Sequence, residues 1–133
     1  MAFELINPTS LGAPVGYSHG VLTHAGKLLF IAGQIAWNEK QQIVSEDFVE
    51  QFDQALANVV TVLKAGGGQP GHTVRLVIYV TNINEYRQQM RRVGERYRKH
   101  MGKHFPAMVL VQVAALLDQS AKVEIEGMAV IPA

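Results

Sequence analysis

The sequence contains no cysteine among its 133 residues, and only 17% of its residues are charged. Without cysteine the chain can form no disulfide framework, no thiolate metal site and no cysteine nucleophile. The formal net charge is only +1, so no global electrostatic field steers the protein towards nucleic acid or a membrane surface. These absences exclude several enzyme classes and argue against nucleic acid as a partner.

The first eight residues, Met-Ala-Phe-Glu-Leu-Ile-Asn-Pro, have neither a basic region nor a long apolar stretch. We therefore expect no secretory signal, no membrane span and a cytoplasmic location. The length predicts a single domain over residues 1–133. Because 48% of the residues are hydrophobic, we expect apolar surface to remain for a partner subunit.

Hydrophobic periodicity predicts an α+β fold with the order β-β-β-α-β-α-β-β, in which a sheet carries two helices on one face. The first helix is expected from about Asp47 to Ala65 with Ser45 as its N-cap, and the second from Asn82 or Asn84 to Met101. The remaining predicted elements are a short strand over Phe3–Ile6, a hairpin over Gly20–Gln34, a strand from Val74 to Val80, and two C-terminal strands.

The two C-terminal strands differ in pattern. Phe105–Val113 is almost continuously apolar, which predicts a strand buried on both faces. The last strand alternates, with Val123 and Ile125 on one face and Glu124 and Glu126 on the other. Carboxylates on a largely apolar strand are costly to bury unless something binds or protonates them, so Glu124 is a candidate site residue.

Two glycine motifs lack the structural context that their chemistry requires. Gly16–Gly20 matches the G-x-S-x-G pattern of a hydrolase nucleophile, but no strand precedes the serine and no helix follows it. Gly66–Gly71 matches G-x-G-x-x-G, but it follows a helix and leads into a strand, which is the reverse of a dinucleotide site. We interpret the second motif as a helix stop followed by a turn.

Two further features of the second predicted helix have ordinary explanations. His100 and His104 have a metal-compatible spacing, but no third ligand is evident, so no metal site is expected. The many basic residues between Arg87 and Lys103 could contact phosphates. No aromatic stacking platform is interleaved with them, which favours a solvated helix face.

Several segments, taken in order, resemble the RidA/YjgF family of reactive-intermediate deaminases over essentially the full chain. They are Gly16–Gly20, Phe30–Ile35, Gln54–Val59, Val77–Asn84, His104–Ala107 and Val123–Val130. The resemblance implies a mixed sheet with two helices on one face and a homotrimer with ligand clefts between subunits. It also implies cofactor-free hydrolysis of small imines and enamines, such as aminoacrylate, to a keto acid and ammonia.

The resemblance assigns roles to four residues. Tyr17 matches a cleft tyrosine, Gly33 a glycine whose backbone approaches the ligand, Asn84 an asparagine opening the second helix, and Glu124 a water-positioning glutamate. Each has a plain alternative. Tyr17 could be a loop aromatic, Gly33 a strand-end glycine and Asn84 a helix cap. Glu124 could pair with Lys122 or Arg75 instead.

The chain departs from the family at the residue after Phe-Pro-Ala. An arginine that grips the substrate carboxylate is usual there, whereas this chain has Met108, which offers apolar contact but no bidentate fork. Ala32 replaces a common serine, and Leu110 replaces a cysteine near the cleft. A protonated His19 is the candidate for a cation that compensates for the missing arginine.

The favoured function is therefore imine or enamine hydrolysis, or cleavage of a related C–N bond, with altered specificity. A small-metabolite-binding trimer without turnover is the alternative. Translation inhibition or single-strand endoribonuclease action through the basic helix ranks last, because no catalytic base accompanies its arginines.

Overall fold

The computed structural model describes residues 3–133; Met1 and Ala2, the start of the segment read for a targeting signal, lie outside the described residues. The elements are β1 (Phe3–Ile6), β2 (Gly20–Thr23), β3 (Lys27–Gln34), α1 (Phe48–Ala65), β4 (Thr73–Val80), α2 (Ile83–Gln88), α3 (Met90–Met101), β5 (Ala107–Gln112) and β6 (Val123–Ile131). This order confirms the predicted α+β class. None of the helices within residues 3–133 has the length and apolar composition needed to cross a bilayer.

Four strands form a mixed sheet in the order β3-β6-β4-β5, and β1 and β2 form a separate antiparallel pair. Strand β6 is antiparallel to β3 and β4, whereas β4 and β5 are parallel. The predicted hairpin between β2 and β3 is wrong, because β2 pairs with β1 and β3 pairs with β6. The eight residues of β3 find a nine-residue partner in β6, which offers a longer ladder than the four-residue β2.

The start of α1 also differs from the prediction. Asp47, not Ser45, is the N-cap: its Oδ2 accepts a hydrogen bond from the Glu50 amide at 2.9 Å. Ser45 stands two residues earlier, where its Oγ accepts a hydrogen bond from the Asp47 amide at 3.0 Å. The helix ends at Ala65 as predicted, with Gly66 as its C-cap.

The predicted second helix is divided into two at Gln89, which has non-helical torsion angles of φ −127° and ψ 24°. Asn82 caps α2, since its Oδ1 accepts a hydrogen bond from the Asn84 amide at 3.0 Å. The Ile83 amide donates to Oε1 of Gln112 at 2.9 Å, which fixes α2 to the end of β5. Helix α3 packs instead on α1.

The core lies between the sheet and the helices. Its largest fully buried side chains include Phe48, Phe52, Leu56, Leu63, Leu76 and Ile125. Burial of aromatic and leucine side chains of this size stabilises by about 1.5–3 kcal/mol each. Val123, Ile125 and Ala129 all face this core, so the predicted alternation of the last strand is confirmed.

The prediction that the strand within Phe105–Val113 is buried on both faces is wrong for a single chain. Strand β5 stands at the edge of the sheet, where β4 is its neighbouring strand and Ser18 adds an isolated bridge to Ala107. Val109 and Val111 point away from the helix layer and are 43% and 39% exposed. The apolar pattern of β5 therefore leaves an uncovered edge rather than a central strand.

Candidate functional site

A cavity of about 610 Å³ lies between β5, helices α2 and α3, and the loop before β2. This volume is within the range of small-molecule binding pockets. Its walls are mostly apolar or aromatic and include Tyr17, Tyr86, Val93, Met108 and Leu110. Three predicted site residues, Tyr17, Met108 and Leu110, therefore line one cavity.

Tyr17 is placed by its neighbour Ser18. The Ser18 hydroxyl donates to the Phe105 carbonyl oxygen at 2.6 Å, and its amide donates to the Pro106 carbonyl oxygen at 3.1 Å. Gly16 allows the approach, because its φ of 76° is unfavourable for other residues. The buried serine of the G-x-S-x-G segment thus ties the loop to the start of β5, and the adjacent Tyr17 reaches the cavity.

His19 supports the same loop. Its Nε2 donates to the Gly12 carbonyl oxygen at 3.0 Å, and its amide donates to Oδ1 of Asn7 at 2.8 Å. The ring stands edge-on to Tyr17, with centroids 5.2 Å apart. Tyr17, His19 and Met108 also line a smaller adjacent cavity of about 230 Å³. The observed contacts of His19 orient the loop and the tyrosine.

A second group of predicted residues lies on the opposite face of the sheet. The Glu124 carboxylate rests against the backbone of Gly33, so close that a Cβ atom at residue 33 would stand 2.1 Å from Oε2. Gly33 falls where the β3–β6 register shifts, between Ile31 and Gln34. Only glycine fits there while Glu124 keeps this position. The structure therefore brings the two candidate site residues Gly33 and Glu124 together.

Glu124 has no ion-pair partner within residues 3–133. Lys122, the expected alternative partner, pairs with Glu85 instead, at 3.3 Å between Nζ and Oε2. Glu126 on the same face accepts a hydrogen bond from the Tyr79 hydroxyl at 2.5 Å. This hydrogen bond is the main reason why the pKa of Tyr79 is raised. The two carboxylates thus differ: Glu126 has a tyrosine partner, whereas the Glu124 carboxylate is available to bind a ligand or water.

Sequence reasoning missed Tyr79. It lies directly opposite Glu124 in the β4–β6 register and bonds to Glu126, so it joins this polar group. The period-two pattern of β4 placed Tyr79 on the face away from the helices, together with Val77. The face of Tyr79 could therefore be inferred from the sequence, but its contact with β6 could not, because the sequence pattern does not show that β4 pairs antiparallel with β6.

The two groups do not form one pocket within a single chain. Strand β4 separates β5 from β6, and Met108 pairs with Leu76, three residues from Tyr79 and Glu124. Strand geometry then puts the Cα atoms of Met108 and Glu124 about 14 Å apart. Their side chains point to opposite faces, because Met108 packs on the helix-covered core. Asn84 is exposed in the first turn of α2 and does not line the cavity.

The basic residues of α3 mostly face acids of α1. Arg96 contacts Oδ2 of Asp53 at 2.5 Å and Oε1 of Glu50 at 2.6 Å, and Lys99 and His100 also bind Asp53. Burial alone would raise the pKa of Asp53, but the hydrogen bonds from His100, Arg96 and Lys99 outweigh it and lower the pKa. These ion pairs account for much of the basic charge without a nucleic-acid ligand.

The two histidines with metal-compatible spacing have separate partners. His100 binds Asp53, and Nε2 of His104 donates to the Thr73 carbonyl oxygen at 2.7 Å. Each imidazole is thus used in packing α3, or its exit, onto another element.

Comparison with known proteins decides the family. The profile of the family described as Endoribonuclease L-PSP matches residues 8–131. Human 2-iminobutanoate/2-iminopropanoate deaminase is 33% identical over 120 residues, which are 90% of this chain and 82% of that protein. The chain is a member of the RidA/YjgF family. The resemblance inferred from the sequence segments is thereby confirmed.

Other RidA/YjgF comparisons extend over nearly the whole chain. Protein DfrA of Myxococcus xanthus is 34% identical over 132 residues, covering 98% of this chain and 97% of that protein. The crystal structure of the Rid-family protein YyfB from Yersinia pestis has a TM-score of 0.89 at 32% identity, covering 98% of this chain and 100% of that one. The YjgF gene product of E. coli has a TM-score of 0.68 at 31% identity, with 93% and 92% covered.

Proposed function

We propose that this RidA/YjgF protein hydrolyses imines or enamines to a carbonyl compound and ammonia, in clefts between the subunits of a homotrimer. The observation that carries the proposal is the Gly33–Glu124 contact, in which a carboxylate without an ion-pair partner among residues 3–133 lies against the half-buried backbone of Gly33. Its relatives support the chemistry, since several are named 2-iminobutanoate/2-iminopropanoate deaminases.

The reaction needs one base and correct positioning. Glu124 accepts a proton from water as the water oxygen bonds to the imine carbon, and the proton passes to the nitrogen. Collapse of the resulting carbinolamine forms the carbonyl group, breaks the C–N bond and releases ammonia. An enamine first tautomerises to the imine, taking a proton on carbon and losing one from nitrogen. The Tyr17 hydroxyl can hydrogen-bond the substrate and hold it against the water.

The cleft requires two copies of the chain, because Tyr17 and Glu124 belong to groups on opposite faces of one sheet. A neighbouring subunit that places its Gly33–Glu124 group beside the cavity of Tyr17 and Met108 would complete the site. Uncovered apolar side chains support such an assembly: Phe30 is 68% exposed and Leu28 is 60% exposed on β3, and β5 presents Val109 and Val111.

Met108 is expected to change the specificity. Together with Leu110 it gives the cavity an apolar wall where the family resemblance implies a guanidinium, so substrates with apolar side chains are favoured over the smallest imino acids. Loss of one charge-assisted hydrogen bond costs about 1.5–3 kcal/mol. A small imino acid would consequently bind and react poorly.

The test is turnover of imines made in situ by an amino-acid oxidase, with semicarbazide trapping the imine that remains. Glu124→Gln should abolish hydrolysis while the oligomer mass and melting temperature stay unchanged. Glu126→Gln is the matched control on the same strand, and it should lower the melting temperature slightly because the Tyr79 hydroxyl then donates to a neutral amide oxygen instead of a carboxylate. Wild-type turnover by Glu124→Gln would refute the mechanism. Ligand binding by a wild-type protein without turnover would support the metabolite-binding alternative.

A further inference from the structure

Arg98 is a cation in the wall of the large cavity that no acid among residues 3–133 neutralises. Other basic side chains of α3 have acidic partners: Arg91 has Glu95, Arg92 has Asp47, and Arg96 and Lys99 have Asp53. Within residues 3–133, Arg98 makes no ion pair and no side-chain hydrogen bond. Its side chain lines the same cavity as Tyr17, Met108 and Leu110.

Gly94 gives the guanidinium its place. It lies one turn before Arg98 on α3, and a Cβ atom there would stand 3.1 Å from Nη1 of Arg98. The guanidinium therefore lies along the helix surface over Gly94, which also lines the cavity. Glycine is unfavourable inside a helix, and here it leaves the room in which the arginine folds back towards the cavity.

The other nearby cations are less well placed. Nε2 of His19 is already bonded to the Gly12 carbonyl oxygen. Arg75 lines the smaller cavity and the open face of the sheet, but it does not line the large one. Arg98 thus remains as the guanidinium that faces the apolar wall formed by Met108 and Leu110.

We propose that Arg98 binds the carboxylate of the ligand and thereby sets which substrates the site accepts. This inference rests on the proposed function and deepens it. A guanidinium presents a planar fork that matches a carboxylate. The ligand lies with its carboxylate at α3 and its apolar side chain against Met108 and Leu110. The substrate class is an imino acid with a branched or aromatic side chain.

Binding of two unreactive probes tests the charge. Hydrocinnamate and hydrocinnamide share one apolar body and differ in the carboxylate. By titration calorimetry at low salt, wild-type protein should bind hydrocinnamate more tightly than the amide. Arg98→Gln should weaken hydrocinnamate binding about tenfold, the scale of a charge-assisted hydrogen bond, and leave the amide unchanged. Arg98→Lys should bind hydrocinnamate with an affinity between those of the wild type and Arg98→Gln. Arg91→Gln is the control, since that side chain is 92% exposed and pairs with Glu95.

Gly94→Ala tests the placement. The added methyl group should displace the guanidinium by a few tenths of an ångström and weaken hydrocinnamate binding, by about threefold, while a better helix former raises the melting temperature. If Gly94 has only a structural role, Gly94→Ala should gain stability and bind hydrocinnamate as tightly as the wild type. Unchanged affinity in Gly94→Ala would count against the placement of the guanidinium described above.

The outcomes separate this inference from the proposed reaction. Loss of carboxylate binding in Arg98→Gln, without imine turnover by any form, would uphold Arg98 as the anchor and refute the reaction. Imine turnover with equal KM and equal hydrocinnamate affinity in wild type and Arg98→Gln would refute the anchor and leave the reaction standing. Wild-type protein that binds hydrocinnamate no better than hydrocinnamide also overturns the inference.

Discussion

The Glu124 carboxylate occupies the space that any side chain at residue 33 would need, since Oε2 lies 2.1 Å from the position of a Gly33 Cβ atom. The contact joins the end of β3 to β6 and fixes the direction of the carboxylate. Two residues that are 91 positions apart in the sequence thus constrain each other.

Gly33→Ala is expected to reduce imine turnover at least tenfold, with little loss of stability. The new Cβ atom meets the far end of a flexible side chain, so the Glu124 carboxylate moves and the strands need not. A displacement of about 1 Å can reduce a rate about a hundredfold. Steady-state kinetics beside thermal melting checks this. Gly71→Ala is the control, because a Cβ atom there meets nothing within 4 Å. Full activity in Gly33→Ala would show that the position of Glu124 does not matter.

Met108→Arg is expected to raise the rate of aminoacrylate hydrolysis, and the native protein should be at least about tenfold slower than an arginine-bearing relative. The new guanidinium would supply a bidentate partner for a carboxylate on a substrate too short to reach Arg98. Competition with semicarbazide measures both rates. Met108→Leu controls for the change in packing. An unimproved rate in Met108→Arg would locate the anchor of small substrates elsewhere.

The Asp53 cluster predicts an acid-dependent loss of stability. The pKa of Asp53 is lowered in the folded protein, so its contribution is present above the unfolded value near pH 4 and is lost as the pH falls through the folded value. Urea unfolding at several pH values should show Asp53→Asn less stable than wild type at neutral pH, by about 1–3 kcal/mol. The two curves should converge in acid. If the free energies of unfolding of the two proteins differ by the same amount at neutral and acidic pH, Asp53 is not the titrating group.

The assembly prediction is a homotrimer, with a mass about three times the 14.6 kDa of one chain. Light scattering at micromolar concentration measures it, and Phe30→Lys should shift the mass towards the monomer, because Phe30 is uncovered on β3. Lys27→Glu, a change at an already charged residue of the same strand, is the control. A monomeric mass for the wild type would exclude a cleft shared between subunits.

Local patterns predicted the parts of the fold that depend on local physics. The alternation of Val123, Glu124 and Ile125 reflects a strand with one covered face, so the direction of Glu124 could be inferred from sequence. The Gly66 stop of α1 follows from backbone chemistry alone. Both features were predictable because each depends on a few neighbouring residues.

Features that depend on distant partners could not be predicted in this way. The turn signal near Gly26 indicated a hairpin, but it carries no information about the longer ladder that β6 offers to β3. The special position of Arg98 also has a remote cause: acids of α1 take up Arg96 and Lys99 and leave Arg98 free to face the cavity. Periodicity places all three on one helix without distinguishing them.

The strand order has a consequence for synthesis on the ribosome. Strand β6 follows the other strands in the sequence, yet it stands between β3 and β4 and joins them. A nascent chain that has not yet delivered residues 123–131 can pair β4 with β5, but β3 has no sheet neighbour. Completion of the sheet must therefore wait for the final strand to insert between two earlier ones, a late non-local step of the kind that slows folding. Until then the apolar edges of β3 and β4 stay open to chaperones or to other unfinished chains.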